Sequence, residues 1–410
     1  MPLITNDAIV LGLLVVILAV IFATEADPRC KGFYKYVPSL LLCYFVPGLL
    51  GTLGLISGEQ SKLYSVASRY LLPASLVLLT LSLDLAAIRK LGPKILIMFL
   101  SGTLGVMFGG PLVLLLFALI SPELVGGTGP DAVWRGMTTV AGSWIGGGAN
   151  QTAMKEVFGV GDQVFSSWIA VDVIVANIWM AVLLYGAGLH RRIDKWTGAD
   201  TAAIEALKTK VEAYQLEHKR IASVGDLFAI LGVGLGATAI GHIGADWLAP
   251  YIEANLPSLA RFSLTSKFFW LIVITTLLGV LFSFTRLRRL EGAGASRVGS
   301  VMLYVLVATI GMQMNLLAVF DRPGIFLVGL AWIVIHAVIM LTVGKLLKAP
   351  FFFVAVGSQA NIGGAASAPI VASAFHPVLA PVGVMMAVLG YAVGTYAAWL
   401  CGLMLQQVAP

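Results

Sequence analysis

Two glycine-rich segments carry most of the polar residues that could do chemistry in an otherwise apolar chain. The first, at 142–155, reads GSWIGGGANQTAMK, and the second, at 357–371, reads GSQANIGGAASAPIV. Glycine weakens a helix and frees backbone groups that lipid cannot satisfy, so such backbone survives at membrane depth only inside protein or beside a wet cavity. Two interruptions in matching positions of two halves predict a binding site for a transported solute.

Hydroxyl, amide and backbone groups of these segments are the predicted solute contacts. Gly146, Gly147 and Gly148 permit a tight non-helical turn, and the flanking helix ends would present N–H groups to anions and carbonyls to cations. The alternative is that the small residues only let helices pack closely. The predicted solute-binding residues are Ser143, Gly147, Gly148, Asn150, Gln151 and Thr152 in the first segment and Ser358, Gln359, Asn361, Gly363, Gly364 and Ser367 in the second.

Asp172 is a second kind of candidate, because it is an ionisable residue inside the apolar run WIAVDVIVANIW. Burying a carboxylate at membrane depth costs several kcal/mol unless it is paired, protonated or hydrated, so it predicts an ion-coupling site. A structural hydrogen bond to neighbouring backbone is the alternative. Asn177, Gln313 and Asn315 are weaker candidates for ion coupling, and a capping role at a span end is equally open for Asn315.

Composition defines the class of protein. Of 410 residues, 59% are hydrophobic and 11% are charged, against roughly 25% charged in soluble domains. Several apolar runs exceed about 18 residues, so the sequence predicts an all-α polytopic membrane protein lying in the lipid bilayer. The net charge of +6 reflects basic loops and predicts no nucleic-acid partner. The three cysteines and the scattered histidines lack metal-ligand spacing, so no metal or other cofactor is expected.

Apolar runs and charge together predict the topology. The two glycine-rich segments, extended to 133–158 and 350–375, are interpreted as re-entrant hairpins, because most Lys and Arg then lie on one face of the membrane. That face is predicted to be cytoplasmic, which places both termini outside. If both segments crossed, the basic loop 190–224 would move to the outside. The predicted spans are 8–23, 36–56, 64–84, 94–120, 164–189, 225–249, 266–285, 298–319, 323–347 and 378–406. The basic, cytoplasmic loops are 24–35, 85–94, 190–224, 286–297 and 345–349.

Weak similarity between the halves predicts an internal repeat. Gly142-Ser143 matches Gly357-Ser358, and Gly147-Gly148-Ala149 matches Gly363-Gly364-Ala365. Five crossings and one hairpin in each half would make the second half inverted relative to the first. The predicted parts are a first repeat at 1–190 with hairpin 133–158, a cytoplasmic linker helix at 191–224, and a second repeat at 225–410 with hairpin 350–375.

The stretches GSWIGGGANQTAMKEVFGVGD and GSQANIGGAASAPIVASAF resemble the YjcL-like family of uncharacterised bacterial membrane proteins, over nearly the whole chain. That family is distantly similar to glutamate:sodium symporters and 2-hydroxycarboxylate (citrate) symporters, and more remotely to cation/proton antiporters. The resemblance implies a homodimer whose transport domain moves like an elevator against a scaffold. It also implies that the tips of both hairpins bind substrate and sodium. No arginine lies near the second hairpin to clamp a carboxylate, so an amino-acid-like solute or short peptide fits better than a di- or tricarboxylate.

No motif of a soluble enzyme or an ATPase occurs, so an ion gradient is the expected source of energy. The sequence therefore predicts a sodium- or proton-coupled secondary transporter of a small organic solute in the cell (inner or plasma) membrane, and not an enzyme. The alternative is a monovalent cation/proton antiporter that uses Asp172. A third possibility is a membrane sensor or assembly factor that transports nothing.

Overall fold

The computed structural model is almost entirely helical, as predicted. It describes residues 2–34, 37, 39–58, 60–84, 88–89, 91–199, 204, 221–262, 264–313, 323–376 and 379–410. The helices of the first half are α1 (Asp7–Ala26), α2 (Lys31–Tyr34), α3 (Ser39–Thr52), α4 (Leu63–Val66), α5 (Leu72–Leu81), α6 (Pro93–Ile120), α7 (Pro122–Val125), α8 (Val133–Gly146), α9 (Gly148–Val157), α10 (Asp162–Gly188) and α11 (His190–Thr197). Those of the second half are α12 (Val224–Asn255), α13 (Lys267–Ser283), α14 (Ala295–Gln313), α15 (Ile325–Leu346), α16 (Phe351–Ile362), α17 (Gly364–Phe375) and α18 (Ala380–Val408).

Among the described residues, eight helices are long and apolar enough to cross a membrane, or nine if the bent pair Lys267–Ser283 and Arg286–Ala293 forms one span. Ten spans were predicted, and the difference lies in the second and seventh. Within the second, predicted at 36–56, the described residues form one helix of 14 residues, α3, which contains Pro47. The seventh, predicted at 266–285, has a helix of 17 residues, α13.

Local sequence signals fix several helix starts. The Asn6 side chain accepts hydrogen bonds from the N–H groups of Ala8 and Ile9 and so caps α1. Ser223 and Asp226 form a reciprocal capping box at the start of α12. The predicted linker helix at 191–224 lies mostly outside the described residues. Its first described residues belong to α11, which ends where Gly198 takes a left-handed φ of 67°.

The helices pack into two groups. The flanking bundle comprises α1, α3–α5 and α12–α14, with α5 packed against α12, α13 and α14. The hairpin bundle comprises α6, α8, α9, α10 and α15–α18, with α18 packed against α8, α16 and α17. Each bundle takes its helices from both halves of the sequence. The bundles meet where α9 and α18 contact α5 and α13.

Contacts between helix ends give the chain path. Lys94 Nζ lies 3.4 Å from the carbonyl oxygen of Lys348, and Lys345 Nζ lies over the Trp196 ring. The starts of α6 and α16 and the ends of α10 and α15 therefore share one end of the molecule, here called the basic end because most predicted basic loops gather there. At the opposite end, Gly324 packs against Leu124, so α6 and α15 run antiparallel.

Both glycine-rich segments fold back on themselves. In the first hairpin (α8–α9), Arg135 at the start of α8 donates to the carbonyl of Phe158, just beyond α9. In the second hairpin (α16–α17), the rings of Phe352 and Phe375 are 5.3 Å apart. The first hairpin follows α6 and the second follows α15, so they enter from opposite ends. Helices of 14, 10, 12 and 12 residues are each too short to span about 30 Å of hydrocarbon.

Candidate functional site

The tips of the two hairpins touch. Gly147 separates α8 from α9 with φ 77°, and Gly364 begins α17 with φ 56°. A β-carbon placed on Gly364 would lie 3.9 Å from the Cα of Gly147. Because the hairpins enter from opposite ends, this contact lies inside the hairpin bundle. The structure thus brings together the two segments in which the sequence predicted a site.

Small residues of α18 let both tips approach this closely. A β-carbon on Gly390 would lie 2.8 Å from the carbonyl oxygen of Ile145, and one on Gly394 would lie 2.5 Å from the Cα of Gly146. Side chains at these two positions would push the first hairpin away from α18. Gly390 and Gly394 of α18, which the sequence analysis did not single out, therefore serve close helix packing.

Four helix ends converge at the tips. The carboxyl ends of α8 and α16 and the amino ends of α9 and α17 all lie there. A helix carries about half a negative charge at its carboxyl end and half a positive charge at its amino end. The carboxyl ends of α8 and α16 can therefore hold a cation, and the amino ends of α9 and α17 can hold an anionic group.

Asp172 in α10 lies beside the first hairpin. Its Oδ1 accepts a hydrogen bond of 2.6 Å from Trp144 Nε1, and its Oδ2 accepts one of 2.8 Å from Gln151 Nε2. The Ser143 side chain also interacts with this carboxylate. The side chain of Asp172 is only 6% exposed. All three partners are neutral, so a buried carboxylate is held by donors that leave its charge uncompensated, which favours a nearby cation or a proton.

Gln151 connects this carboxylate to the flanking bundle. Its Nε2 donates to Asp172, and its Oε1 accepts from the hydroxyl of Tyr44 at 3.3 Å. Tyr44 lies in α3 and is 1% exposed. The chain of contacts from Tyr44 through Gln151 to Asp172 therefore crosses the interface between the two bundles.

Asn150 ties the first hairpin to α18. Its Nδ2 donates to the carbonyls of Gly146 and Tyr391, at 3.0 and 3.4 Å, and its Oδ1 accepts from Thr395 at 2.6 Å. Asn150 is fully buried. Its amide is thus saturated by protein partners, and its role here is to fix the hairpin.

Asn361 connects the second hairpin to α6 in the same way as Asn150 connects the first hairpin to α18. Its Oδ1 accepts from Thr103 at 2.8 Å, and its Nδ2 donates to the carbonyls of Phe99 and Gly357 at 3.0 and 2.9 Å. Both asparagines bond a glycine carbonyl four residues earlier in the chain and accept from a threonine of a neighbouring helix. Their assignment as solute contacts stays a prediction.

Ser358 joins three elements. Its hydroxyl lies 2.8 Å from His336 Nε2, in α15, and accepts a hydrogen bond of 2.8 Å from Trp179 Nε1, in α10. His336 Nδ1 lies 3.2 Å from the carbonyl oxygen of Gly102. Because a carbonyl can only accept, Nδ1 of His336 carries a proton. The hydrogen-bond chain therefore fixes the orientation of the imidazole ring.

Gln359 and Ser367 bond across the second break. Gln359 Nε2 donates to Ser367 Oγ at 2.6 Å, while Gln359 Oε1 is buried without a hydrogen-bond partner. Gly363 between them has a φ of −119°, which any residue can adopt. Glycine is required there because the neighbouring side chains leave no room for a β-carbon. In the first hairpin, the Thr152 hydroxyl donates to the carbonyl of Gly148, four residues earlier, and its side chain also interacts with that of Tyr44.

The weaker ion-coupling candidates lie elsewhere or are not described. Asn177 is partly exposed and donates to the carbonyl of Val173 in its own helix at 2.7 Å. Gln313, at the end of α14, lies against Gly58 in the flanking bundle, and its Oε1 is buried without a partner. Asn315 lies outside the described residues. Of the four candidates, the structure therefore places Asp172 beside a hairpin tip.

Sequence reasoning missed the residues that bond the predicted ones. These partners come from four different helices and the first hairpin: Tyr44, Thr103, Trp179, Thr395 and Trp144. A further partner, His336, was predicted to be an ordinary polar side chain. A histidine in the middle of the apolar run of α15 was the one available signal. Among the described residues, no group of His, Cys, Asp and Glu is arranged to hold a metal ion.

Fold and site together define a polytopic helical membrane protein with two opposed re-entrant hairpins. The chain belongs to the family described as "Protein of unknown function (DUF819)", which it matches over residues 12–408. It is 24% identical over 362 residues to a protein of Bacillus subtilis (strain 168) named "Uncharacterized membrane protein YjcL", covering 84% of each chain. The resemblance to a YjcL-like family is therefore confirmed.

Proposed function

We propose that this protein is a secondary transporter that couples the movement of a small polar solute to a gradient of sodium ions or protons. The observation that carries the proposal is the contact of Gly147 with Gly364 beside the buried carboxylate of Asp172. Interrupted helices that meet inside a bundle are the usual way in which membrane proteins present backbone groups to a solute. A protein that only anchors or senses gains nothing from such costly backbone.

The solute is an amino-acid-like compound, a short peptide or a carboxylate. The amino ends of α9 and α17 favour an anionic group, and the carboxyl ends of α8 and α16 favour a cation. The partners of Asp172 are neutral, so its charge is available to compensate a coupling ion. Ser143, Gln359 and Ser367 are the polar side chains nearest the breaks that could contact the solute.

The hairpin bundle would carry the solute by sliding against the flanking bundle within a homodimer in the cell membrane. The division of the helices into two bundles supports this step, because the breaks and Asp172 belong to one of them.

Thermal unfolding of the purified protein tests the proposal, in sodium and in choline, with a panel of amino acids, short peptides and carboxylates. A ligand that binds only the folded state stabilises it, by about 2.7 kcal/mol at 100 times its dissociation constant. We expect one solute class to raise Tm, with a shift that depends on sodium or on pH. That solute should then accumulate in proteoliposomes only under the matching gradient, and its failure to accumulate would contradict transport.

A monovalent cation/proton antiporter is the second candidate. The hydrogen bonds of Asp172 to Trp144 and Gln151 favour it, because they place a buried carboxylate directly beside a helix break. Under this alternative, a cation alone shifts Tm, no solute of the panel adds to the shift, and the cation drives proton movement in proteoliposomes. Cation-driven proton movement that persists in Asp172→Asn would eliminate it.

A further inference from the structure

A charged cluster joins the first hairpin to the flanking bundle at the end opposite the basic end. Glu156, in the last turn of α9, accepts a hydrogen bond from the Tyr64 hydroxyl of α4 and lies 3.4 Å from Arg69 Nη2. Its neighbour Lys155 places Nζ 3.5 Å from the same hydroxyl and 4.6 Å from the centre of the Tyr64 ring. Two consecutive residues of the first hairpin, Lys155 and Glu156, thus contact one tyrosine of the flanking bundle.

The hairpin side of this cluster is shielded from solvent. Lys155 is 5% exposed and Glu156 is 17% exposed at the side chain. Lys155 is held within its own bundle by Asp162, at 2.7 Å, and by the Phe165 ring, at 5.1 Å. Charged hydrogen bonds in a shielded place are stronger than those at an open surface. Because Lys155 is fixed in this way, it holds its neighbour Glu156 in place against Tyr64.

The flanking side is also fixed. Arg69 lies in a π-helical turn, Ala67–Leu71, between α4 and α5, and such turns occur frequently at functional sites. Its guanidinium lies 4.5 Å from the centre of the Phe268 ring of α13, and its carbonyl accepts from His242 Nε2 of α12 at 3.0 Å. Three flanking elements therefore hold Arg69 where Glu156 meets it.

Three other polar contacts between described residues of the two bundles join neutral groups. Tyr44 meets Gln151 at 3.3 Å, Thr276 meets Thr395 at 3.3 Å, and the Tyr396 hydroxyl meets the carbonyl of Val273 at 3.4 Å. A hydrogen bond to a charged group is roughly twice as strong as one between neutral groups. The hydrogen bond of Tyr64 to the Glu156 carboxylate is therefore stronger than each of these three.

We propose that Tyr64, Arg69 and Glu156 form a latch that holds the hairpin bundle in the position seen here and opens whenever that bundle slides. The sliding step rests on the proposed function, whereas the latch contact does not. Polar contacts suit this task because water can replace them when they part, which a tightly packed apolar contact does not allow. Nothing in the proposed solute site requires these three residues, so they act on motion rather than on recognition.

A double-mutant cycle in thermal unfolding tests the latch contact without any solute. Tyr64→Phe and Glu156→Leu should each lower Tm, and the double variant should lose no more than the larger single shift, because both changes remove the same hydrogen bond. Tyr64→Phe removes one oxygen atom only, so that variant keeps its fold. A second cycle combines Arg69→Gln with Glu156→Leu and tests the other partner of Glu156. Additive shifts in both cycles would overturn the latch.

Lys267→Gln is the matched control for the cycle. Lys267 pairs with Asp246 at 2.7 Å near the same end of the molecule, but both residues belong to the flanking bundle and are 62% exposed. Combined with Tyr64→Phe, this change should give additive shifts. A coupling as large as that of Glu156 would show that the assay does not report the contact between the bundles.

Reversible cross-linking tests whether the latch must open. In protein with Cys30, Cys43 and Cys401 replaced by alanine, Tyr64→Cys and Glu156→Cys are bridged by a bis-methanethiosulfonate reagent that reductant removes. Bridging should reduce solute uptake to background and reductant should restore it, while bridging Asp246→Cys to Lys267→Cys should leave uptake unchanged. Full uptake by the bridged latch would overturn the proposal. If the uncrosslinked parent transports nothing, the proposed function fails and the cycle alone decides the latch contact.

Discussion

Gly147 and Gly364 lie against each other, with 3.9 Å between the Cα of Gly147 and the β-carbon position of Gly364. Each has a positive φ, at 77° and 56°, which residues with a side chain rarely adopt. The two glycines are far apart in the sequence, and each lies at the break of its own hairpin. The contact therefore depends on two independent backbone reversals that glycine makes possible.

Gly147→Ala should destabilise the protein. With φ 77° and ψ −176°, Gly147 occupies a region open essentially to glycine alone, and forcing a side chain there costs about 1–3 kcal/mol. The added β-carbon would also lie 3.2 Å from the Tyr391 ring. We expect a clearly lower Tm in detergent micelles.

Gly148→Ala is the control for this change, because a β-carbon at Gly148 meets nothing within 4 Å and its φ is ordinary. Its Tm should stay within the equivalent of about 0.5 kcal/mol of the parent. Equal effects of the two substitutions would show that the backbone at Gly147 is not as described.

Asn361→Ala should cost about 1–3 kcal/mol of folding free energy. The change leaves Thr103 without its acceptor and removes the two bonds to the carbonyls of Phe99 and Gly357, all in a fully buried place. Asn177→Ala removes only one bond within α10, at a partly exposed position, and should cost much less. Denaturant or thermal unfolding of both variants measures the difference. Similar losses would contradict the anchoring role of Asn361.

Ser358→Ala should loosen the second hairpin from α10 and α15. It leaves Trp179 Nε1 and His336 Nε2 without their shared partner, so we expect a loss of about 1–3 kcal/mol. Ser373→Ala is the control, because Ser373 bonds only the carbonyls of Pro369 and Ile370 in its own helix. The fluorescence of Trp179 should change with Ser358→Ala, and an unchanged spectrum together with an unchanged Tm would contradict the chain of contacts.

The apolar spans and the two hairpins could be predicted from the sequence. The predicted span 94–120 coincides with α6, Pro93–Ile120, because a long apolar run of that kind has one stable solution in lipid. The hairpins at 133–158 and 350–375 were found because glycine and polar residues interrupt apolar sequence there. At α3 the described helix is 14 residues long, shorter than the predicted span 36–56, and it continues through Pro47 to Thr52.

The partners of the candidate residues could not be predicted. Asn361 meets Thr103, which lies 258 positions earlier in the chain, and Ser358 meets Trp179. Such pairs depend on which helices pack together, and a single sequence with spans of similar hydrophobicity does not specify that. The inverted repeat stays a prediction, although the two hairpins do enter from opposite ends. The orientation of the termini and the dimer stay predictions too.

Asp172→Asn should abolish the ion-dependent stabilisation of the protein and the uptake that depends on it. An asparagine offers one acceptor and one NH₂ group where the carboxylate offers two acceptors, so a donor would face Trp144 Nε1 or Gln151 Nε2. The Gln151 amide could turn to accept instead, and the Tyr44 hydroxyl, which now donates to Gln151, would then have to accept from it. The substitution removes the buried negative charge and changes the hydrogen bonds between the bundles at the same time.

Comparing the thermal shift of Asp172→Asn in sodium, in choline and at several pH values measures the loss of ion binding. Asp246→Asn is the matched control, because its ion pair with Lys267 is exposed to solvent, which screens it. We expect the control to keep the full ion-dependent shift and Asp172→Asn to lose it, with a general loss of stability of about 1–3 kcal/mol. A parent-like ion-dependent shift in Asp172→Asn would place the coupling ion elsewhere and leave Asp172 as a structural acceptor for Trp144 and Gln151.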